Sequence, residues 1–211
     1  SEKLITNIKN QLLKNLNLDF NLSENYSYSI FPKPNFTFKE SSFLNKVENS
    51  GEIRVYISSK NLVFQNKIKI KDIIFNKMNF NLNKENYNFF RELLLNDFSK
   101  FTLIIKDSNI FYKNNEKDVL FINKINQLKY FYDFKDLENI LSANNEIFNI
   151  PYKIKLRDNK YKKQIVSDII FDDFNFKLEN YHNYKNQDKD GSLKLIHKQR
   201  KSEVSYNVNK G

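Results

Sequence analysis

The chain has 211 residues, 40% hydrophobic and 28% charged, a globular balance large enough for one large domain or two small ones. It contains no Cys, which excludes disulfides, thiolate metal sites and a cysteine nucleophile together. It also contains no run of about 18 apolar residues, so no segment reads as a membrane-spanning helix.

Lys and Arg number 35 against 25 Asp and Glu, a formal charge of +10. Such a surplus can mark an anionic partner. Here it is almost all lysine, with arginine only at Arg54, Arg91, Arg157 and Arg200. Base readout and bidentate phosphate grip favour arginine. The surplus therefore reads as a solvated lysine-rich face, and no nucleic-acid partner is expected. The chain has 20 Phe and 12 Tyr but only 3 Gly and 3 Pro. Phe, Tyr, Lys, Asn and Ile have AT-rich codons, so much of this bias reads as genomic drift.

Leu4 to Leu16 reads as an amphipathic helix, with Ile5, Ile8, Leu12 and Leu16 at helical spacing. After Leu18 the period switches to two. Leu18, Phe20 and Leu22 make one short strand, and Tyr26, Tyr28 and Ile30 the next. Pro32 and Pro34 interrupt pairing because proline lacks an N–H. Asn35 to Lys39 resumes the strand, and Glu40 to Ser50 reads as a polar connection. Strands are expected near 52–58, 61–65, 67–75 and 77–82. Lys84 to Asn96 reads as a second helix. Further strands are expected near 101–105, 109–112, 118–122 and 125–132, then one short helical turn from Asp136 to Leu141. Strands return at 146–157, 161–171 and 174–179, and Ser192–Ile196 with Glu203–Val208 makes a final hairpin.

The alternation is clearest in Ile53–Ile57, Met78–Leu82, Tyr152–Leu156 and Phe174–Leu178. Each gives one apolar and one polar face, the mark of an antiparallel sheet half exposed to water. No strand–helix–strand rhythm repeats, so a doubly wound fold is not expected. No linker rich in Pro, Gly or Ser divides the chain, and residues 1–211 read as a single domain.

Chemical signatures are few. Glycines at 51, 191 and 211 cannot build a phosphate-cradling loop. His182 and His197 are the only imidazoles, and both read as surface residues. Asn186, Asp188, Asp190 and Gly191 match the first half of a calcium loop, but position 12 is His197 rather than the closing Glu. A polar turn is expected there. Asp172–Asp173 is a lone acidic pair. Tyr130–Phe131–Tyr132 and Phe89–Phe90 could stack on single-stranded bases, although alternating aromatics usually form core. No catalytic residue, metal or cofactor is expected.

The N-terminal order is distinctive: a short helix, a strand at Asp19–Leu22, then the run from Tyr26 to Phe43 with Phe31-Pro32-Lys33-Pro34 at its centre. This resembles the start of the AsmA-like family of bacterial envelope proteins. The stretches Ile68–Phe75 and Met78–Leu82 resemble its repeated strand pairs, and Asn86–Leu95 the helix that follows. Leu103–Tyr112 resembles its strand, turn and strand ending in Tyr. The resemblance spans most of the chain but lacks the family's membrane anchor. It implies that the chain is an N-terminal piece of a longer protein. It also implies a periplasmic location and anchoring to the inner membrane.

The implied fold is mainly β: an elongated, curved, mostly antiparallel sheet, groove-like, with an N-terminal amphipathic helix and one further short helix. The implied function is non-enzymatic, the handling or transfer of phospholipid through a hydrophobic β-groove in outer-membrane assembly. The implied partners are phospholipid and, through the anchor, a membrane. Val55, Ile57, Phe80, Leu82, Leu103 and Ile105 are the candidate groove-lining residues, with ordinary core as the competing assignment. Two other readings stay open: a closed β-sandwich binding a protein or polysaccharide, and a basic single-stranded nucleic-acid binder.

Overall fold

The computed structural model describes residues 2–16, 20–43, 51–62, 68–84, 87, 101–184 and 189–208. The helix α1 (Glu2–Leu16) forms where Ile5, Ile8 and Leu12 fall on one face. Ile8 and Leu12 are fully buried, while Lys9, Asn10 and Lys14 face solvent. Gln11 ties the helix down by donating from Nε2 to the Ile68 carbonyl.

The strands are β1 (Phe20–Asn21), β2 (Tyr26–Ser29), β3 (Asn35–Phe43), β4 (Gly51–Ile57), β5 (Ile70–Asn76), β6 (Asn79–Leu82) and β7 (Thr102–Lys113). The second half supplies β8 (Val119–Asp133), β9 (Glu138–Ile147), β10 (Ile150–Asn159), β11 (Gln164–Phe171), β12 (Phe176–Asn183), β13 (Lys189–His197) and β14 (Arg200–Val208). All belong to one open sheet, ordered β1-β3-β4-β5-β7-β8-β9-β10-β11-β12-β13-β14, with β2 beside β3 and β6 beside β7. From β7 onward each strand pairs with its successor, as tight hairpins dictate.

Every pairing is antiparallel except those of β5 and β6 with β7. β6 continues the line of β5 along β7, with Asp72 opposite Thr102 and Asn79 opposite Asn109. Residues 83–101 then separate β6 from β7, the long connection that a parallel pairing requires. The break between β5 and β6 meets an irregularity in β7 at Asp107, whose φ is 47°. Ser108, fully buried there, accepts from the Met78 N–H at 3.1 Å and donates to the Lys106 carbonyl at 2.6 Å.

Cross-strand partners share a face, so the register locates the core. One row runs Phe38, Ile53, Phe75, Ile105, Leu128, Ala143, Ile154, Ile169, Leu178, Leu195 without a polar interruption. The adjacent row runs Phe36, Val55, Ile73, Leu103, Tyr130, Leu141, Leu156 and is then broken by Ser167 and Asn180 before Leu193 and Val204. From β3 to β9 these rows are buried, with the exception of half-buried Leu128. From β10 onward none of them is.

Several expectations are corrected. Residues 102–113 form one strand rather than two, as do residues 119–133; β7 runs on through Asp107 with its positive φ, and β8 through a bulge between Ile125 and Gln127. The run expected at 146–157 is two strands, β9 and β10, joined at Phe148–Asn149, both with positive φ. The helical turn expected at Asp136–Leu141 is instead a tight turn with Leu137 at φ 57°, followed by β9. Leu141 belongs opposite Tyr130, and burying that pair outweighs a single isolated helical turn. The polar connection begins later than expected, because β3 extends to Phe43. Most of the second expected helix, and residues 63–65 of the 61–65 strand, lie outside the described residues.

Candidate functional site

Among the described residues, the half of the sheet from β10 to β14 has no buried hydrophobic side chain. Ile154, Leu156, Ile169 and Leu178 are half-buried on the apolar face, and Leu193, Leu195 and Val204 are exposed. No described helix covers them. The stripe is one unbroken row, Ile154, Ile169, Leu178 and Leu195, widened to about 7 Å by Leu156 on β10 and Leu193 on β13, with Ser167 and Asn180 interrupting the second row between them. It crosses successive strands at about 4.8 Å each.

Polar and aromatic rows border the stripe on both sides. On one side Asn139, Asp158, Ile165, His182 and Gly191 lie in register, ending at Tyr206. Asp158 is 2% exposed, accepts from the Tyr184 hydroxyl at 3.0 Å and pairs with Lys160 at 2.6 Å. Burial, then the hydrogen bond to Asp158 and its negative charge, push the Tyr184 phenol up to about 12. The Tyr206 hydroxyl donates to Asn180 Oδ1 at 2.9 Å and lies 3.3 Å from His182 Nδ1. A Cβ on Gly191 would sit 2.4 Å from the Tyr206 ring and 2.4 Å from the Tyr181 carbonyl oxygen. Glycine is what lets the tyrosine lie across β13.

On the other side Asn145 and Tyr152 are cross-strand partners, and the Tyr152 ring stacks on Phe171 at 5.2 Å. The Tyr152 hydroxyl donates to Asn123 at 2.8 Å, and burial raises its pKa. Phe171 then faces Phe176 edge-on, and with Phe174, Leu195 and His197 the two line an open hollow of about 460 Å³. Its walls are largely hydrocarbon, which suits an apolar ligand.

The opposite face of this half carries charge. Lys155, Asp168, Glu179, Lys194 and Glu203 succeed one another across β10 to β14. Lys177 bridges the adjacent acids, 2.6 Å from Glu179 and 3.8 Å from Asp168. The hydrogen bond from Lys177 holds the Glu179 carboxyl below its ordinary value.

The structure brings all six groove-lining candidates onto the apolar face. Val55, Ile57, Phe80, Leu103 and Ile105 are buried in the hydrophobic cluster that contains Ile8 and Leu12 of α1, and Leu82 is half-buried. The uncovered apolar positions are different ones, on β10 to β14. Their signal in the sequence is the alternation of Tyr152–Leu156 and Phe174–Leu178 followed by no helical segment. Nothing in the alternation itself distinguishes a covered strand from an uncovered one.

The remaining candidates fall apart in space. Asp190 and Gly191 belong to β13 and not to a loop, while residues 186 and 188 lie outside the described residues. No cluster of three metal-ligating side chains occurs among the described residues. Asp172 and Asp173 sit in a turn, where Asp172 pairs with Lys153 at 2.6 Å. Tyr130 is buried, whereas Phe131 is on the other face beneath the Lys129 ammonium at 4.4 Å. Tyr130–Phe131–Tyr132 is therefore not one stacking platform. Phe89–Phe90 lies outside the described residues.

No protein-family model matches this chain, and no curated protein matches it. The resemblance to the AsmA-like family rests on the residues quoted for it.

Proposed function

We propose that this chain is a non-enzymatic lipid-handling protein whose uncovered apolar stripe receives the acyl chains of a phospholipid. The observation that carries the reading is the unbroken row from Phe38 to Leu195, which leaves the covered core and continues into the open half of the sheet. An extended exposed apolar surface normally marks a ligand or partner. The stripe is long and narrow, one unbroken apolar row widened to about 7 Å on β10 and β13 and bordered by polar side chains, a shape that suits a flexible hydrocarbon chain better than a broad protein interface. Each methylene it buries contributes about 0.8 kcal/mol. The aromatic hollow at Phe171, Phe174 and Phe176 would hold one end of such a chain.

The resemblance to AsmA-like proteins agrees with this reading. On that basis the chain belongs to a periplasmic protein anchored in the bacterial inner membrane and contributes to outer-membrane assembly. The sheet would act as a curved groove, with lipid replacing the helix that covers the N-terminal strands.

Native mass spectrometry of gently purified protein tests the proposal. Phospholipid should remain bound, and Leu178→Gln with Leu195→Gln should release it while leaving the fold intact by circular dichroism. Protein that binds no lipid, or a double variant that retains it fully, refutes the reading.

A further inference from the structure

The two ends of the sheet differ in charge, and three turns at one end combine lysine with exposed aromatic side chains. Residues 30–34 join β2 to β3, residues 134–137 join β8 to β9, and residues 160–163 join β10 to β11. The register places all three at the same end. Asn35 pairs with Tyr56 near the end of β4, Glu138 pairs with Asp133, and Asn159 donates to Glu138 at 3.2 Å. Pro32, Lys33 and Phe134 also line a common hollow of about 460 Å³, so the first two turns lie close together.

These turns carry Lys33, Lys135, Lys160, Lys162 and Lys163 against one acid, Asp136. Lys160 is held at the buried Asp158, while the other four lysines are exposed. Phe31 is 86%, Tyr161 77% and Phe134 72% exposed, with Ile30 and Leu137 exposed beside them. The described hairpin turns at the opposite end are residues 114–118, 148–149, 172–175 and 198–199. They carry Glu116, Asp118, Asp172 and Asp173 against Lys117 and Lys198. Phe148 and Phe174 are exposed there too, but among acids. Exposed aromatics thus occur at both ends; among the described turns, those at one end join them to a lysine surplus and those at the other to an acidic surplus.

We propose that the end formed by residues 30–34, 134–137 and 160–163 docks on the surface of an anionic phospholipid bilayer. Aromatic rings favour the headgroup level, where an apolar body and a wet boundary coexist. Lysines beside them meet the negative surface potential of the bilayer. The acidic opposite end is repelled by the same potential. This orients the sheet edge-on, with its strands rising from the membrane. The inference is separate from acyl binding on the stripe: docking uses turn residues, and the stripe residues are free of it.

The test is co-sedimentation of the full chain with phosphatidylcholine vesicles that contain or lack phosphatidylglycerol. Wild-type protein should bind the anionic vesicles, and binding should weaken as salt rises. Lys135→Gln, Lys162→Gln and Lys163→Gln together should weaken it about a hundredfold, at roughly fivefold per lysine. Phe31→Ser, Phe134→Ser and Tyr161→Ser together should weaken it at least about tenfold. Phe148→Ser, the exposed aromatic at the acidic end outside the hollow, should bind as wild type. Leu195→Gln should leave docking intact even where it abolishes co-purified lipid, so the two readings fail separately. Equal binding by wild type and the lysine triple variant overturns the proposal. So does equal loss from either end, or a preference for a single-stranded oligonucleotide over the anionic vesicles.

Discussion

Truncating one buried leucine of α1 and one on the open stripe gives a direct measure of what covers the sheet. Leu12 is 0% exposed, packed in the cluster with Phe38, Ile53 and Phe75. Leu12→Ala removes its transfer free energy and leaves a cavity into which the surroundings relax only partly. The cost should be about 3 kcal/mol. Leu195 is 39% exposed, so only about three-fifths of a full leucine transfer of about 2 kcal/mol is lost on truncation, and water fills the space without a cavity. Leu195→Ala should therefore cost about 1 kcal/mol. Equilibrium urea denaturation of delipidated protein, followed by far-ultraviolet circular dichroism, reads both. The midpoint should fall about three times further for Leu12→Ala, with similar slopes. If Leu195→Ala costs as much as Leu12→Ala in protein freed of lipid, another part of a protein already covers the stripe. The reasoning from an open face then fails. If lipid is added back, the gap between the two variants should narrow, because truncation then also removes contacts with the ligand.

Gly191→Ala should destabilise the C-terminal hairpins by about 1–3 kcal/mol, because its Cβ meets both the Tyr206 ring and the Tyr181 carbonyl oxygen. Adding Tyr206→Ala should recover only part of that loss, since the backbone clash remains; full recovery in a thermal melt would contradict the geometry. Ser108→Ala strands the buried Met78 N–H and should cost about 1–3 kcal/mol by urea denaturation, with Ser108→Thr no substitute for the smaller side chain. The Tyr184 phenol, with a folded pKa near 12 against an ordinary 10.0, favours the protonated folded state. Its contribution is complete below pH 10 and disappears as the pH rises to about 12. The difference in ultraviolet phenolate titration between wild type and Tyr184→Phe should therefore show one tyrosine ionising near 12; ionisation at 10 would remove the Asp158 contact from consideration.

Much of the fold is legible in the sequence because side-chain alternation is a local property. The period of Ile53–Ile57 and Phe174–Leu178 announces a strand wherever it occurs, and Ile5, Ile8 and Leu12 announce a helix just as locally. The boundaries that fail are those decided by partners. Asp107 and the bulge at Ile125–Gln127 let β7 and β8 continue through positions that look like turns, because the neighbouring strand supplies the missing hydrogen bonds. Leu141 leaves a plausible helical turn for its place opposite Tyr130 for the same reason.

Local alternation is thus enough to establish that the chain makes many two-faced strands, each with an apolar side. It cannot determine which strands lie together or what lies over them, since alternation reads identically at Val55 and at Leu195. That α1 shares one buried cluster with Val55, while Leu195 stays in the open, is decided by which strands pair and where the helix docks. The cause is physical: burial is a property of the whole arrangement, and alternation within one strand carries no information about the layer above it.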